Sequence, residues 1–244
     1  MLRILVILSL LYVVLIVLFY YWQRSLLYFP SHDKSSSKLK PWPEGGRVIA
    51  WCREAPNPHT IWFMTHGNAG RAADRDYVLR CLSDQDSLYV LEYPGYGDRE
   101  GSPSREAINQ AAVEGYQMLR KKFPTTPVCA IGESLGSGPA CMLAGQTNPP
   151  DKIVLVVPFD ILVRVASEKF RYLPVWMMLR DRWNNVEALR SFKGPVDIFG
   201  AIDDKIIPIK YPKALADQVR QSHFTAIDCG HNDWCLSGEV NIRR

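Results

Sequence analysis

The sequence predicts an α/β protein: a mostly parallel central sheet with helices on both faces, preceded by an apolar helix. Three observations predict it. Seven short apolar runs recur between residues 48 and 227, apolar at successive positions, as in parallel strands buried on both faces. Helix-period segments alternate with them. Ahead of them all, residues 4–22 form a 19-residue stretch without a charge.

That stretch comes first in the chain. As a helix it rises about 28 Å, close to the roughly 30 Å hydrocarbon core of a bilayer. Tyr20, Tyr21 and Trp22 close it, where amphipathic rings favour the lipid–water boundary. Its competitor is a cleaved secretory signal. Such segments are shorter and end in small residues, whereas QRSLLYFP follows here. Residues 1–23 are therefore expected to be an uncleaved single-pass membrane anchor, and the polar, Pro/Gly-punctuated residues up to 46 a linker (24–46). The membrane side stays open. Arg3 precedes the span, Arg24, Lys34, Lys38 and Lys40 follow it, and large domains translocate largely regardless of charge.

Residues 47–244 are expected to form one domain. Strands are expected at 48–51, 61–65, 88–93, 128–131, 153–157, 196–200 and 224–227. Ile108, Ala111, Ala112, Gly115, Tyr116 and Leu119 make one apolar stripe along a helix at 105–121, with Ser102 and Pro103 as its N-cap and first position. Helices at 69–82 and 210–221 are weaker expectations. Residues 158–193, between the strands at 153–157 and 196–200, lack a clear strand and are apolar and aromatic around 173–179. They read as a small helical, lid-like insertion or pocket wall, with short helices packed on the core as the plainer alternative.

Composition excludes several functions. The 244 residues carry a net charge of +4 without a run of five like charges, a poor match to a nucleic-acid-binding surface. The cluster Cys229, His231, Asp233 and Cys235 has no second ligand pair nearby, which argues against a metal site. A local Cys229–Cys235 disulfide would require an oxidising compartment.

The chemistry falls at strand ends. The run at 128–131 leads into Gly132-Glu133-Ser134-Leu135-Gly136 and then a helix-forming stretch. A nucleophile on so tight a strand-to-helix turn needs neighbours without bulk. The helix start beneath it aims backbone N–H groups at a developing oxyanion. His66-Gly67-Asn68 follows the run at 61–65, where a second oxyanion donor arises in such folds. The backbone N–H groups of Asn68 and Leu135 are the candidates. Asp204 follows the run at 196–200 and His231 the run at 224–227. In a parallel sheet those ends share one edge. Tyr96, in the turn YPGYG, is a lesser candidate for substrate contact, and Glu133 has no expected role.

The motifs HGNAG, YPGYG with GSPS three residues on, GESLG, GAIDDKIIP and GHND together resemble the α/β-hydrolase superfamily. More narrowly, they resemble its membrane-anchored abhydrolase-domain serine hydrolases. The resemblance covers nearly the whole chain. It implies the α/β-hydrolase fold, Ser134 as nucleophile, Asp204 as acid and His231 as base, with no cofactor or metal. Asp204 stands four residues before Pro208, the family's spacing; Asp203 is the alternative acid. Only thirteen residues follow His231, so the family's closing helix is expected to be short or absent. The expected activity is hydrolysis of an acyl ester or thioester, with a lipid-like substrate favoured by the anchor. A serine peptidase and a non-catalytic tethered binding module are the alternatives.

Overall fold

The computed structural model describes residues 1–43 and 46–244; residues 44 and 45 of the expected linker lie outside the described residues. The apolar segment forms α1 (Leu2–Leu27), none of whose residues is buried. It runs five residues past Trp22. Its last turns carry polar side chains that meet the domain: Arg24 forks onto both oxygens of buried Asp181 at 3.0 Å, and Tyr28 O–H donates to the same carboxylate at 2.9 Å.

The segment read as a linker is partly ordered into strands. β1 (Phe29–Pro30) lies within it, and β2 (Lys40–Trp42) lies antiparallel to β3 (Ala50–Arg53). Leu39 and Trp42 are buried, too sparse a pattern to read as a strand. β3 starts two residues later than expected, and the Ile49 N–H just before it meets the Trp42 carbonyl at 2.8 Å.

β4 (Ile61–Thr65), β5 (Ala69–Gly70) and β6 (Ser87–Leu91) follow, with β5 pairing parallel to β1. The helix expected at 69–82 is a 3₁₀ run over Ala72–Cys81, broken at Arg75, whose side chain turns inward. α2 (Arg105–Lys122) buries its whole expected stripe. Its cap is Ser104, not Ser102: Ser104 Oγ accepts the Ala107 N–H at 3.1 Å. Both serines flank Pro103, and only the second is buried against the helix start. The short side of Gly115 admits the Phe63 ring, which an added Cβ would meet at 3.0 Å.

The remaining elements are β7 (Val128–Glu133), α3 (Ser137–Met142), β8 (Ile153–Val156), α4 (Leu162–Lys169), α5 (Val175–Met178), α6 (Asn185–Leu189), β9 (Val196–Ala201), α7 (Lys210–Ala216) and β10 (Ser222–Ile227). The eight-stranded sheet runs β10-β9-β8-β7-β4-β6-β3-β2. Its six strands from β10 to β6 are parallel, while β3 and β2 form an antiparallel edge. Alternate residues feed two cores. Phe63, Ala130 and Leu155 pack on one face, and Met64, Ile131 and Val154 on the other. This two-sided burial is why the strands are apolar at successive positions.

Candidate active site

β7 ends at Glu133, and Ser134 leaves it at φ +52°. That left-handed backbone is costly for a residue with a side chain and lifts it clear of the sheet. The flanking glycines are dictated by contact. A Cβ on Gly136 would stand 2.1 Å from the Thr65 carbonyl oxygen, and one on Gly132 2.6 Å from Ser137 Cα. The chain then coils through Ser134–Gly136 into α3, so the N–H of Leu135 lies at the start of the helical turn under the serine.

The neighbouring strand ends bring the other side chains. His231 Nε2 lies 2.9 Å from Ser134 Oγ, and its Nδ1 lies 2.6 Å from Asp204 Oδ2. The other carboxylate oxygen accepts the N–H groups of Ile206 and Ile207 at 2.8 and 2.7 Å. One oxygen thus fixes the loop while the other faces the imidazole. Asp203 is exposed and gives its backbone N–H to the Cys229 carbonyl. Of the two aspartates left open by the sequence, Asp204 reaches the histidine.

Asn68 shares with Ser134 and His231 a solvent-open cleft of about 880 Å³. It is held at three points. Its carbonyl accepts the Phe29 N–H at 2.9 Å and the Tyr96 O–H at 2.6 Å, and its amide donates to the Leu27 carbonyl at 2.7 Å. Tyr96 is fully buried. It braces this loop and does not line the cleft, contrary to its candidacy as a substrate contact; the hydroxyl is consumed inside the fold. His66 is a second brace. Its ring stacks on Tyr93 at 4.1 Å, and Nδ1 lies 2.7 Å from the Gly67 carbonyl. Burial, with Arg75 nearby, pushes its imidazole down to about 3, so it stays neutral near pH 7.

Glu133 is the residue the motif reading passed over. Its Oε2 accepts the Gly67 N–H at 3.1 Å and pairs with Arg75 at 3.3 Å. Its Oε1 accepts Trp234 Nε1–H at 2.9 Å and the Tyr77 O–H. One buried carboxylate therefore joins the serine turn, the loop after β4, the 3₁₀ segment and the loop after His231. Burial pushes the carboxyl up, but Arg75 and these donors outweigh it and hold it below its ordinary value. The sequence did carry a signal: an acidic residue only two positions past the unbroken apolar run at 128–131.

The insertion covers the serine helix from another side. A Cβ on Gly138 would meet the Trp183 ring at 2.5 Å, and Asn185 Nδ2 donates to Ser137 Oγ at 2.9 Å. Its residues do not line the Ser134 cleft. After His231 the described chain forms no helix; Trp234 and Ile242 are buried, and the Ile242 N–H reaches the Cys81 carbonyl. Cys235 neighbours Cys81, with their sulfurs 3.1 Å apart, and is not bonded to Cys229. Among the described residues, no group of three or more His, Cys, Asp or Glu side chains is placed to hold a metal ion.

No protein-family model matches the chain. It is 29% identical over 238 residues to an uncharacterised protein of Mycobacterium tuberculosis, covering 90% of this chain and 84% of that one. It is 32% identical over 184 residues to the lysophosphatidylserine lipase ABHD12 of Danio rerio, covering 67% of this chain. The chain spans about half (48%) of that lipase's length. Among solved structures, the Pyrococcus furiosus esterase Pf2001 superposes with a TM-score of 0.65 at 14% identity, over 86% of this chain and 94% of the esterase. The sheet order, the strained serine turn and these relatives show that the chain belongs to the α/β-hydrolase superfamily of serine hydrolases.

Proposed function

We propose that the chain is a membrane-anchored hydrolase of acyl esters or thioesters, acting through Ser134, His231 and Asp204. One observation carries the reading: the His231 imidazole lies within hydrogen-bond distance of both Ser134 Oγ and Asp204 Oδ2. A serine hydroxyl is a weak nucleophile until a base takes its proton. His231 Nε2 would take it as Oγ attacks the acyl carbonyl, while Asp204 holds the proton on Nδ1 and stabilises the imidazolium. The N–H groups of Leu135 and Asn68 would receive the oxyanion of the tetrahedral intermediate. His231 would then hand its proton to the leaving alcohol or thiol. A water, activated by the same imidazole, would release the acid and regenerate Ser134.

A lipid-like acyl substrate is favoured over a soluble metabolite. α1 is a 26-residue helix of high mean hydropathy without a buried residue, which supports residues 1–23 as the anchor. The zebrafish relative is named a lysophosphatidylserine lipase, which supports a lipid ester. The test is fluorophosphonate labelling together with a chromogenic ester panel, run beside aminoacyl amides. Wild-type chain labels and cleaves the esters, and Ser134→Ala does neither while remaining folded. Preferential cleavage of the amides would replace the esterase reading with a peptidase one.

A further inference from the structure

The anchor does not stand clear of the domain. Tyr12 O–H donates to the Tyr172 carbonyl at 2.7 Å, and Phe19 meets the Phe170 ring edge-on at 5.7 Å. Gln23 bonds the Met178 carbonyl and the Arg180 N–H at 3.1 and 2.7 Å. Tyr12 to Gln23 is about 16 Å of helix. If α1 spans a bilayer, its partners in the insertion reach well below the headgroups.

Side chains in that part of the insertion suit such a place. Tyr172, Trp176 and Met177 are 76%, 66% and 62% exposed, an unusual apolar patch for a surface facing water. Arg180 and Arg182 follow it in sequence at the Gln23 end of the span, as cations do beside anionic headgroups.

Between α1 and the insertion runs a shallow, solvent-open apolar groove, walled by Phe19, Leu26 and Leu27 on one side and Phe170, Leu173 and Leu179 on the other. Both walls are tied to loops of the Ser134 cleft. Leu27 accepts the amide of Asn68. Across the groove, Lys169 at the end of α4 donates to the Lys205 carbonyl at 3.1 Å, beside the cleft residue Ile206.

We propose that this groove seats the acyl chain of a bilayer lipid whose ester reaches Ser134, so that the anchor helix forms one wall of the substrate site. The proposal rests on the hydrolase and anchor readings above. An acyl chain is the occupant the groove fits: apart from Gln23 its walls are apolar, one of them is the bilayer helix, and each side is hydrogen-bonded to a loop that borders the cleft.

The experiment uses the full chain as Ser134→Ala in phosphatidylcholine nanodiscs, with a palmitoyl lysophospholipid carrying a diazirine near its chain end. Photo-adducts are expected on Leu26, Phe170 and Leu173, and excess unlabelled lysophospholipid should remove them. Adducts spread evenly along α1 and unaffected by competitor would overturn the proposal. In the active chain, Leu26→Trp and Leu173→Trp are expected to lower the decanoate-to-acetate ratio of kcat/KM about tenfold, the loss of contact with about two methylenes. Leu8→Trp, outside the groove, should leave the ratio unchanged, and an unchanged ratio in the groove variants would also overturn the proposal. Groove adducts in a chain that cleaves no ester would uphold the groove and reject the hydrolase reading alone. Release of the chain by alkaline carbonate would reject the anchor and the proposal with it.

Discussion

The Glu133 carboxylate accepts the backbone N–H of Gly67 at 3.1 Å, so the residue before Ser134 holds the loop that follows β4. Arg75 pairs with the same carboxylate at 3.3 Å, and both side chains are largely buried. Removing one partner of such a pair strands a buried charge, typically at a cost of about 3–5 kcal/mol. Glu133→Ala is therefore expected to lower the melting temperature steeply and to reduce kcat. Arg75→Met combined with Glu133→Ala should recover part of the stability. A double-mutant cycle measures this; strictly additive losses would rule out the pairing.

The two adjacent aspartates should differ sharply. Asp204→Asn keeps the shape but removes the charge that orients His231, and is expected to lower kcat by about 10⁴-fold. Asp203→Asn touches only an exposed side chain and should leave kcat near wild type. Ester turnover by the two purified variants decides between them, and the reverse order would reassign the acid.

Gly136 tolerates no side chain. A Cβ there would overlap the Thr65 carbonyl oxygen at 2.1 Å, and backbone on both sides is buried. Gly136→Ala should fail to accumulate as folded protein, or lose fluorophosphonate labelling if it folds. Gly145, around which there is open space, is the matched control: Gly145→Ala should be neutral in both measurements.

Glu92 supplies a pH dependence. Its carboxylate accepts the Ala72 N–H at 3.0 Å and is fully buried. Burial pushes its carboxyl from 4.5 up to about 7, against the pull of that N–H and of Arg71. The folded form thus holds a proton that the unfolded chain releases. The stabilisation is complete below pH 4.5 and is lost as the pH rises to about 7, by an amount on the order of 3 kcal/mol. Glu92→Gln imitates the protonated acid. Its melting temperature should match wild type near pH 4 and exceed it increasingly from pH 5 to 8. A constant offset across that range would show that Glu92 is ionised in the fold.

Much of this arrangement was legible in the chain. Parallel strands buried on both faces leave unbroken apolar runs, and Gly132 and Gly136 mark the crowding around Ser134. Asp204 and His231 could be located because each follows such a run. What the sequence hid depends on long-range contact. β2 buries only Trp42, with Leu39 just before it, and is otherwise held by pairing with the distant β3. Arg75, where the 3₁₀ run breaks, pairs with a residue 58 positions away, Glu133. Tyr96 looked available in a turn, but its hydroxyl is taken by Asn68. The Cys81–Cys235 contact joins residues 154 positions apart, a distance no local spacing reveals.

Under the proposed function, His231 activates Ser134 for acyl transfer. Its most direct measurement is intact-protein and peptide mass spectrometry after brief exposure to a fluorophosphonate, comparing the full wild-type chain with His231→Ala. A single adduct on Ser134 is expected in the wild type, with labelling slowed by at least about 10³-fold in the variant. An adduct on another residue, or equal labelling rates in the two chains, would contradict it.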